Sequence, residues 1–321
     1  MSALMTTTTS TSTLAVHILR VDQAFPAPSS DGALNDRSLD PLLDLLDPDS
    51  RADVHKFRFL RDARRCLCGR LLARYAASTR LSKPWPTLSF QKSERGRPYL
   101  EPSEQSTWTY DYNTSHDGEL VVVASHGPSP SASPHGPPSS TMSSPRVGVD
   151  VMRIKNPWDG TSTDEFISGV AEQLAPRELS ALSRLSWGPG SDARRLRHLL
   201  ALWTLKEAFV KATGEGLHRD LRTIAFDIEL DGDNAEGGEV RRIGEGRLDG
   251  SRLDGWRFSL VEVDEGGAGA SQEQERQKYW LAVAEETAGE GGEVRLALRP
   301  PRWLHEVALE QVEALARDEA L

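Results

Sequence analysis

"WTLKEAFVKATGEG", residues 203–216, reads as the last turns of a helix closed by glycines. At about 100° per residue, Leu199, Leu202, Leu205, Phe209 and Ala212 fall on one stripe, which is a core face. Trp203, Glu207 and Lys211 make a second line at i, i+4 and i+8, with Lys206 on the border between the two. Glutamate four residues before lysine is the favourable order for an exposed ion pair, worth only ~0.3–0.5 kcal/mol. Taken alone, the stretch is an ordinary amphipathic helix with a solvated charge pair.

Working outward, residues 192–213 extend this helix, and "RDARRCLCGRLLARYAAST" (61–79) gives a second long one, with Leu67, Leu71, Leu72 and Tyr75 at helical spacing. Strands are predicted at 14–22, 88–100 (two strands with Gly96 in the turn), 120–125, 146–151, 223–230, 256–263 and 278–286. Pro41 and Pro48 break helical turns over 38–59, and Thr163 is a plausible cap for a helix over 163–174. Residues 231–250 and 264–277, acidic and Gly-rich, read as loops, and 303–320 as a terminal amphipathic helix. Each half thus offers one long helix and about three strands without βα alternation, so an α+β fold with mainly antiparallel sheets is expected. The expected organisation is a disordered tail (1–13), an N-terminal subdomain (14–124), a flexible Ser/Pro-rich loop (125–145) and a C-terminal subdomain (146–321).

The chain has 321 residues and a formal net charge of −10, so a general nucleic-acid binder is disfavoured and any basic site must be local. Two cysteines, Cys66 and Cys68, exclude a disulfide framework, fit a reducing compartment and are expected as buried or half-buried side chains. No apolar run approaches the roughly 18 residues of a membrane span.

Two further stretches carry chemistry. In "VGVDV" (147–151), Asp150 interrupts an apolar strand. A buried carboxylate is costly unless paired or metal-bound, so Asp150 is either a strand-end cap or a magnesium ligand. In "YNTSHDGELVVV" (112–123), Ser115, His116 and Asp117 imitate a hydrolase triad only superficially, because consecutive side chains diverge.

In order, these stretches resemble the large, Sfp-like 4′-phosphopantetheinyl transferases. The family's G-x-D strand matches 148–150, and its W-x-x-K-E-x-x-x-K-x-x-G-x-G helix matches Trp203, Lys206, Glu207, Lys211, Gly214 and Gly216. "NTSHDG" and "GRPYL" resemble two further segments, and 59–85 resembles the eukaryotic, aminoadipate-semialdehyde dehydrogenase type. The resemblance covers roughly 55–230 and implies two similar subdomains in pseudo-twofold arrangement, each a small sheet on a long helix. It implies transfer of phosphopantetheine from coenzyme A to a serine of an apo carrier protein by a monomeric cytoplasmic enzyme. The implied carriers are those of fatty-acid, polyketide, nonribosomal-peptide or lysine biosynthesis, the last through aminoadipate reductase.

By the same resemblance, Asp150 and Glu207 hold Mg²⁺, Glu207 also takes the serine proton, directly or through a metal-bound water, and Lys211 stabilises the leaving phosphate. His116, Arg61, Lys92 and Arg97 hold coenzyme A phosphates, and Lys206 helps to orient the site. Bacterial members often read D-x-E, whereas Met152 stands here and a thioether is a poor magnesium ligand. Asp117 is then either the third ligand or a turn residue before Gly118. The rival to an enzyme is a non-catalytic module that binds carrier protein or coenzyme A.

Overall fold

Strand Leu120–Gly127 is buried throughout because both its faces are covered. Val121 and Val123 join the core under the helix Leu60–Leu81, whereas Leu120, Val122 and Ala124 meet a second sheet. That alternation organises the molecule. The computed structural model describes residues 13–25, 39–102, 110–127, 145–230, 240–264, 276–289, 291–297 and 299–318. The expected tail, apart from Thr13, and residues 128–144 of the expected Ser/Pro loop lie outside these.

The strands are β1 (Thr13–Arg20), β2 (Phe90–Lys92), β3 (Pro98–Leu100), β4 (Asp111–Asp117), β5 (Leu120–Gly127), β6 (Val147–Arg153), β7 (Ile224–Ile228), β8 (Val240–Leu248), β9 (Ser251–Arg252), β10 (Trp256–Asp264), β11 (Lys278–Glu286), β12 (Glu293–Ala297) and β13 (Leu304–Glu306). The helices are α1 (Val21–Ala24), α2 (Asp40–Leu43), α3 (Pro48–Val54), α4 (Leu60–Leu81), α5 (Thr163–Val170), α6 (Pro176–Arg184), α7 (Ser191–Thr213) and α8 (Leu309–Asp318). One sheet runs β13-β1-β5-β4 and another β6-β11-β10-β12-β8-β7, with β9 paired to β8; β2 and β3 form a separate hairpin. Pairing is antiparallel except for β1 with β13 and β10 with β12. The fold is α+β.

The layers run helix, sheet, sheet, helix. Alternate residues of β6 explain one side of this order: Val147, Val149 and Val151 enter the core between the two sheets, while Gly148 faces α7. A Cβ at Gly148 would stand 2.1 Å from the Ala208 carbonyl oxygen and 2.4 Å from the Ala212 nitrogen, so only glycine lets α7 lie this close. Leu199, Leu202, Leu205, Phe209 and Ala212 of α7 are all buried in the core beneath it, as the stripe predicts.

Where the two sheets meet, β4 and β6 run side by side. Val147 N–H donates to Asp111 Oδ2 (2.7 Å), Val149 N–H to Asn113 Oδ1 (3.3 Å), Val151 N–H to Ser115 Oγ (3.4 Å) and Arg153 N–H to Asp117 Oδ2 (2.7 Å). Alternate side chains of a strand point one way, so the D-x-N-x-S-x-D pattern of β4 offers a row of acceptors to the free edge of β6. This row replaces a backbone ladder and fixes the stagger of the two halves.

Several expectations need correction. Residues 240–248, read as loop, form β8; only Ile243 and Gly246 of the strand are buried, and its Arg and Glu residues hide it from a hydropathy reading. Ser162, not Thr163, caps α5: its Oγ accepts from Glu165 N–H, and Glu165 returns a bond to Ser162 N–H. Pro41 and Pro48 open helices α2 and α3 rather than break them, since the first turn needs no proline N–H. The segment 146–321 does not close on itself. Strand β13 pairs with β1, and Leu309, Val312 and Ala316 of α8 are buried in the core under α4, so the chain's end completes the N-terminal half.

Candidate functional site

Gly148 brings α7 against β6, and Asp150, two residues on, turns toward the same helix. Asp150 is buried, with its Oδ1 accepting from Lys211 Nζ (2.6 Å) and from Ser115 Oγ–H (2.8 Å). Lys211 Nζ also donates to Ser115 Oγ (2.9 Å). Lys211 therefore turns to Asp150 across the helix–strand contact, and the simple i,i+4 pair with Glu207 does not form.

Glu207 is half-buried and makes no hydrogen bond or ion pair among the described residues. Burial pushes its carboxyl above the usual glutamate range, the negative charge of Asp150 pushes it further, and Lys211 draws it part of the way back. Two carboxylates beside one ammonium leave the group short of positive charge. Glu207 and Lys211 line a cleft of about 650 Å³ together with Arg95, Arg97, Asn113, Gly214, Arg219 and others.

Arg97 reaches this cleft, but its guanidinium is committed. It grips Asp111 with both ends (2.7 and 2.6 Å) and donates to the Val147 carbonyl (3.1 Å) and, through Nε, to the Lys211 carbonyl (3.2 Å). It thereby ties β3, β4, β6 and the C-terminal end of α7 together. Gly214 ends α7 at φ +71°, and a Cβ there would press on Arg97 Cδ at 3.0 Å.

Other expected site residues lie apart. Arg61 sits at the exposed start of α4, its guanidinium 5.4 Å from the Phe59 ring centre. Lys92 pairs with Asp53 at 2.8 Å. Neither lines the cleft. His116 occupies the opposite face of β4 from Ser115 and is solvent-exposed. Partial loss of solvent, then the charges of Arg65 and Lys211, hold its imidazole below the usual histidine range. The same divergence along β4 separates Ser115 from His116, so no hydrolase triad forms.

Two expected site residues are placed away from the cleft, and for Asp117 the structure agrees with the turn-residue alternative. Lys206 is 1% exposed and pairs with the fully buried Glu178 at 2.6 Å. It also donates to the carbonyls of Gln173 (3.0 Å) and Leu221 (2.9 Å), which uses all three ammonium hydrogens away from any ligand. Asp117 is not brought to Asp150 and Glu207: its oxygens accept from Arg153 N–H, Arg153 Nε–H (3.2 Å) and Gly118 N–H (2.7 Å). No group of three or more acids, histidines or cysteines converges on a metal position among the described residues. Sequence reasoning names Ser115 only in a rejected triad and within the "NTSHDG" segment, and it misses Glu178, Arg95 and Arg219. Glu178 takes its place through Lys206 and Phe226, distant in the chain, whereas Arg219 pairs with Glu215 four residues before it and Arg95 is marked only by its place on the cleft wall.

The donor set suits magnesium. Asp150 and Glu207 supply two hard carboxylates, one of them unpartnered, and magnesium commonly takes one or two carboxylates and fills its shell with water and substrate phosphate oxygens. The residues fit such an ion, with Met152 packed partly buried against the core and supplying nothing.

Comparison with known proteins agrees with this architecture. Residues 35–128 match the family model for the N-terminal part of 4′-phosphopantetheinyl transferase, and residues 146–283 match the model of the 4′-phosphopantetheinyl transferase superfamily. The chain is 29% identical to a phosphopantetheinyl transferase of Thraustochytrium sp., over 68% of this chain and 67% of that protein. It is 27% identical to the L-aminoadipate-semialdehyde dehydrogenase-phosphopantetheinyl transferase of Mus musculus, over 68% and 64%. It is 30% identical to the 4′-phosphopantetheinyl transferase pptA of Paxillus involutus, over 63% and 73%. The matched part thus spans about two thirds of the length of these relatives. With one family model on the half that carries α4 and another on the half that carries Asp150, Glu207 and Lys211, the chain belongs to the 4′-phosphopantetheinyl transferases.

Proposed function

We propose that this protein transfers the phosphopantetheine of coenzyme A to a serine of apo carrier proteins and releases adenosine 3′,5′-bisphosphate. The observation that carries the reading is the meeting of Asp150 from β6 with Glu207 and Lys211 from α7 beside the cleft, with Glu207 left unpartnered. The new bond joins the serine oxygen to the phosphorus bearing pantetheine, and the broken one joins that phosphorus to the bridging oxygen of the pyrophosphate. Asp150 and Glu207 would hold Mg²⁺, which when bound neutralises pyrophosphate charge. Glu207 accepts the serine proton at a carboxylate oxygen, a role that its raised proton affinity favours. Lys211, released from Asp150, follows the charge that develops on the leaving phosphate. His116, Arg61 and Lys92 would reach coenzyme A phosphates outside the cleft, and Arg97 shapes the cleft wall while held by Asp111.

Incubation with apo carrier, coenzyme A and Mg²⁺ tests this: intact-mass spectrometry should show one added phosphopantetheine. Absence of transfer to a panel of fatty-acid, polyketide, nonribosomal-peptide and aminoadipate reductase carriers, with the protein folded, overturns it. The same panel identifies the carrier class, for which the name of the mouse relative favours a lysine-pathway carrier. A pseudo-twofold relation of the two halves belongs to the same reading, supported by one long helix laid on one mainly antiparallel sheet in each.

A further inference from the structure

The triangle at Asp150 contains one residue from the other half of the molecule. Ser115 lies on β4, whereas Asp150, Glu207 and Lys211 belong to β6 and α7. Ser115 is 6% exposed, and its hydroxyl has three neighbours: Lys211 Nζ at 2.9 Å, Asp150 Oδ1 at 2.8 Å and Val151 N at 3.4 Å. An ammonium and a backbone amide can only donate, and a hydroxyl has one hydrogen. The direction of every bond is therefore fixed: Ser115 accepts from Lys211 and Val151 and donates to Asp150 Oδ1. Asp150 Oδ1 then carries two donors, while Oδ2 carries none among the described residues. One oxygen is held and the other is left open beside the unpartnered Glu207.

We infer that Ser115 is the positioning residue of the cation site: from across the seam between the halves, its hydroxyl locks one oxygen of Asp150 and so presents the other, with Glu207, to a divalent ion. It also gives Lys211 a second anchor, so that the lysine keeps a defined place when an arriving cation weakens its hold on Asp150. The register that aims the hydroxyl comes from the rest of the row, with Asp111 and Asp117 bonding Val147 N–H and Arg153 N–H at 2.7 Å on either side. Side chains behind a metal ligand orient it, and losing one typically costs about 10–100-fold in metal affinity.

The inference rests on the magnesium reading of Asp150 and Glu207, and the experiment separates the two. Mn²⁺ is titrated into the full chain with coenzyme A and without carrier, and the free ion is followed by its paramagnetic resonance signal. Wild type should hold one ion that Glu207→Gln loses. Ser115→Ala, and the near-isosteric Ser115→Cys with its weak donor, should melt close to wild type yet bind Mn²⁺ about tenfold or more weakly. The Mg²⁺ concentration for half-maximal transfer should rise by a similar factor, while the rate at saturating Mg²⁺ changes far less. Binding by both variants as tight as wild type overturns the role of Ser115 alone. A wild type that takes up no Mn²⁺, or loses none in Glu207→Gln, overturns the metal reading and this inference together. Melting of both variants far below wild type assigns the hydroxyl to the fold and also overturns the inference.

Discussion

Helix α7 carries two lysines that meet carboxylates in opposite ways. Lys206 and Glu178 are fully buried and saturated: the ammonium has three acceptors, and Glu178 also accepts from Phe226 N–H (3.0 Å) and Ala175 N–H (2.8 Å). Burial pushes the carboxyl up and the ammonium down from their usual ranges, and each draws its partner back. Lys211 is 29% exposed and donates to Ser115 and Asp150, with the second carboxylate, Glu207, left without a bond among the described residues. Neighbouring turns of one helix thus serve different ends. A closed set of bonds fastens α7 to α6 and to the segments around Gln173 and Leu221, whereas the set at the cleft leaves one carboxylate without a partner among the described residues. Perturbed carboxylates alone would not distinguish the two, since Glu178 and Glu207 are both raised by burial; bond saturation does.

The sharpest break with this contrast would come from Glu207→Gln. It should lower transfer about 10³-fold while thermal unfolding stays near wild type. Near-normal transfer, measured by intact mass, would remove Glu207 from the chemistry. The converse belongs to Lys206→Met, which strands the Glu178 carboxylate. Denaturant unfolding should show a loss of about 3–5 kcal/mol, partly recovered in the double variant with Glu178→Gln, whose neutral amide oxygen still accepts from a backbone N–H. A Lys206→Met protein of normal stability with poor coenzyme A binding would return Lys206 to the ligand site.

Gly148→Ala forces α7 away from β6 and should cost about 1–3 kcal/mol in unfolding free energy, with loss of transfer as Asp150 and Glu207 separate. The pH dependence is gentler. With the folded carboxyl of Glu207 raised, the neutral form favours folding, so this contribution is present at acid pH and lost as pH rises above the usual glutamate range. Mg²⁺ should reverse that loss, so its thermal stabilisation should grow with pH over that window; a shift independent of pH speaks against binding at Glu207. The smallest effect is expected for Asp117→Asn, which keeps an acceptor for Arg153 N–H: a change of about 1 kcal/mol or less in stability and little in Mg²⁺ requirement. A large rise in that requirement would restore Asp117 as a ligand.

Much of what surrounds this contrast is legible in the order of residues. The apolar stripe of α7, the glycines that end it and the two-sided apolar strands report periodicity and backbone freedom, which are local properties. Asp150 is conspicuous because a charge in an apolar strand must find a partner. Strand β8 is hidden because its charged residues imitate a loop. The return of 304–318 to the N-terminal core is equally hidden, since an amphipathic helix does not say which core it covers.

By itself the sequence determined that there are two long helices, mainly antiparallel sheets, a glycine beside a buried acid at 148–150 and a charged line on one helix. Only the tertiary structure decided which lysine is sealed and which stands at the cleft. Lys206 and Lys211 are the same side chain on the same helix, and what separates them is the partner that packing brings: Glu178 at 2.6 Å in a dry interior, or Asp150 and Ser115 at the edge of water. The cost of burying a charge depends on every bond around it, and those bonds come from segments that only folding places together.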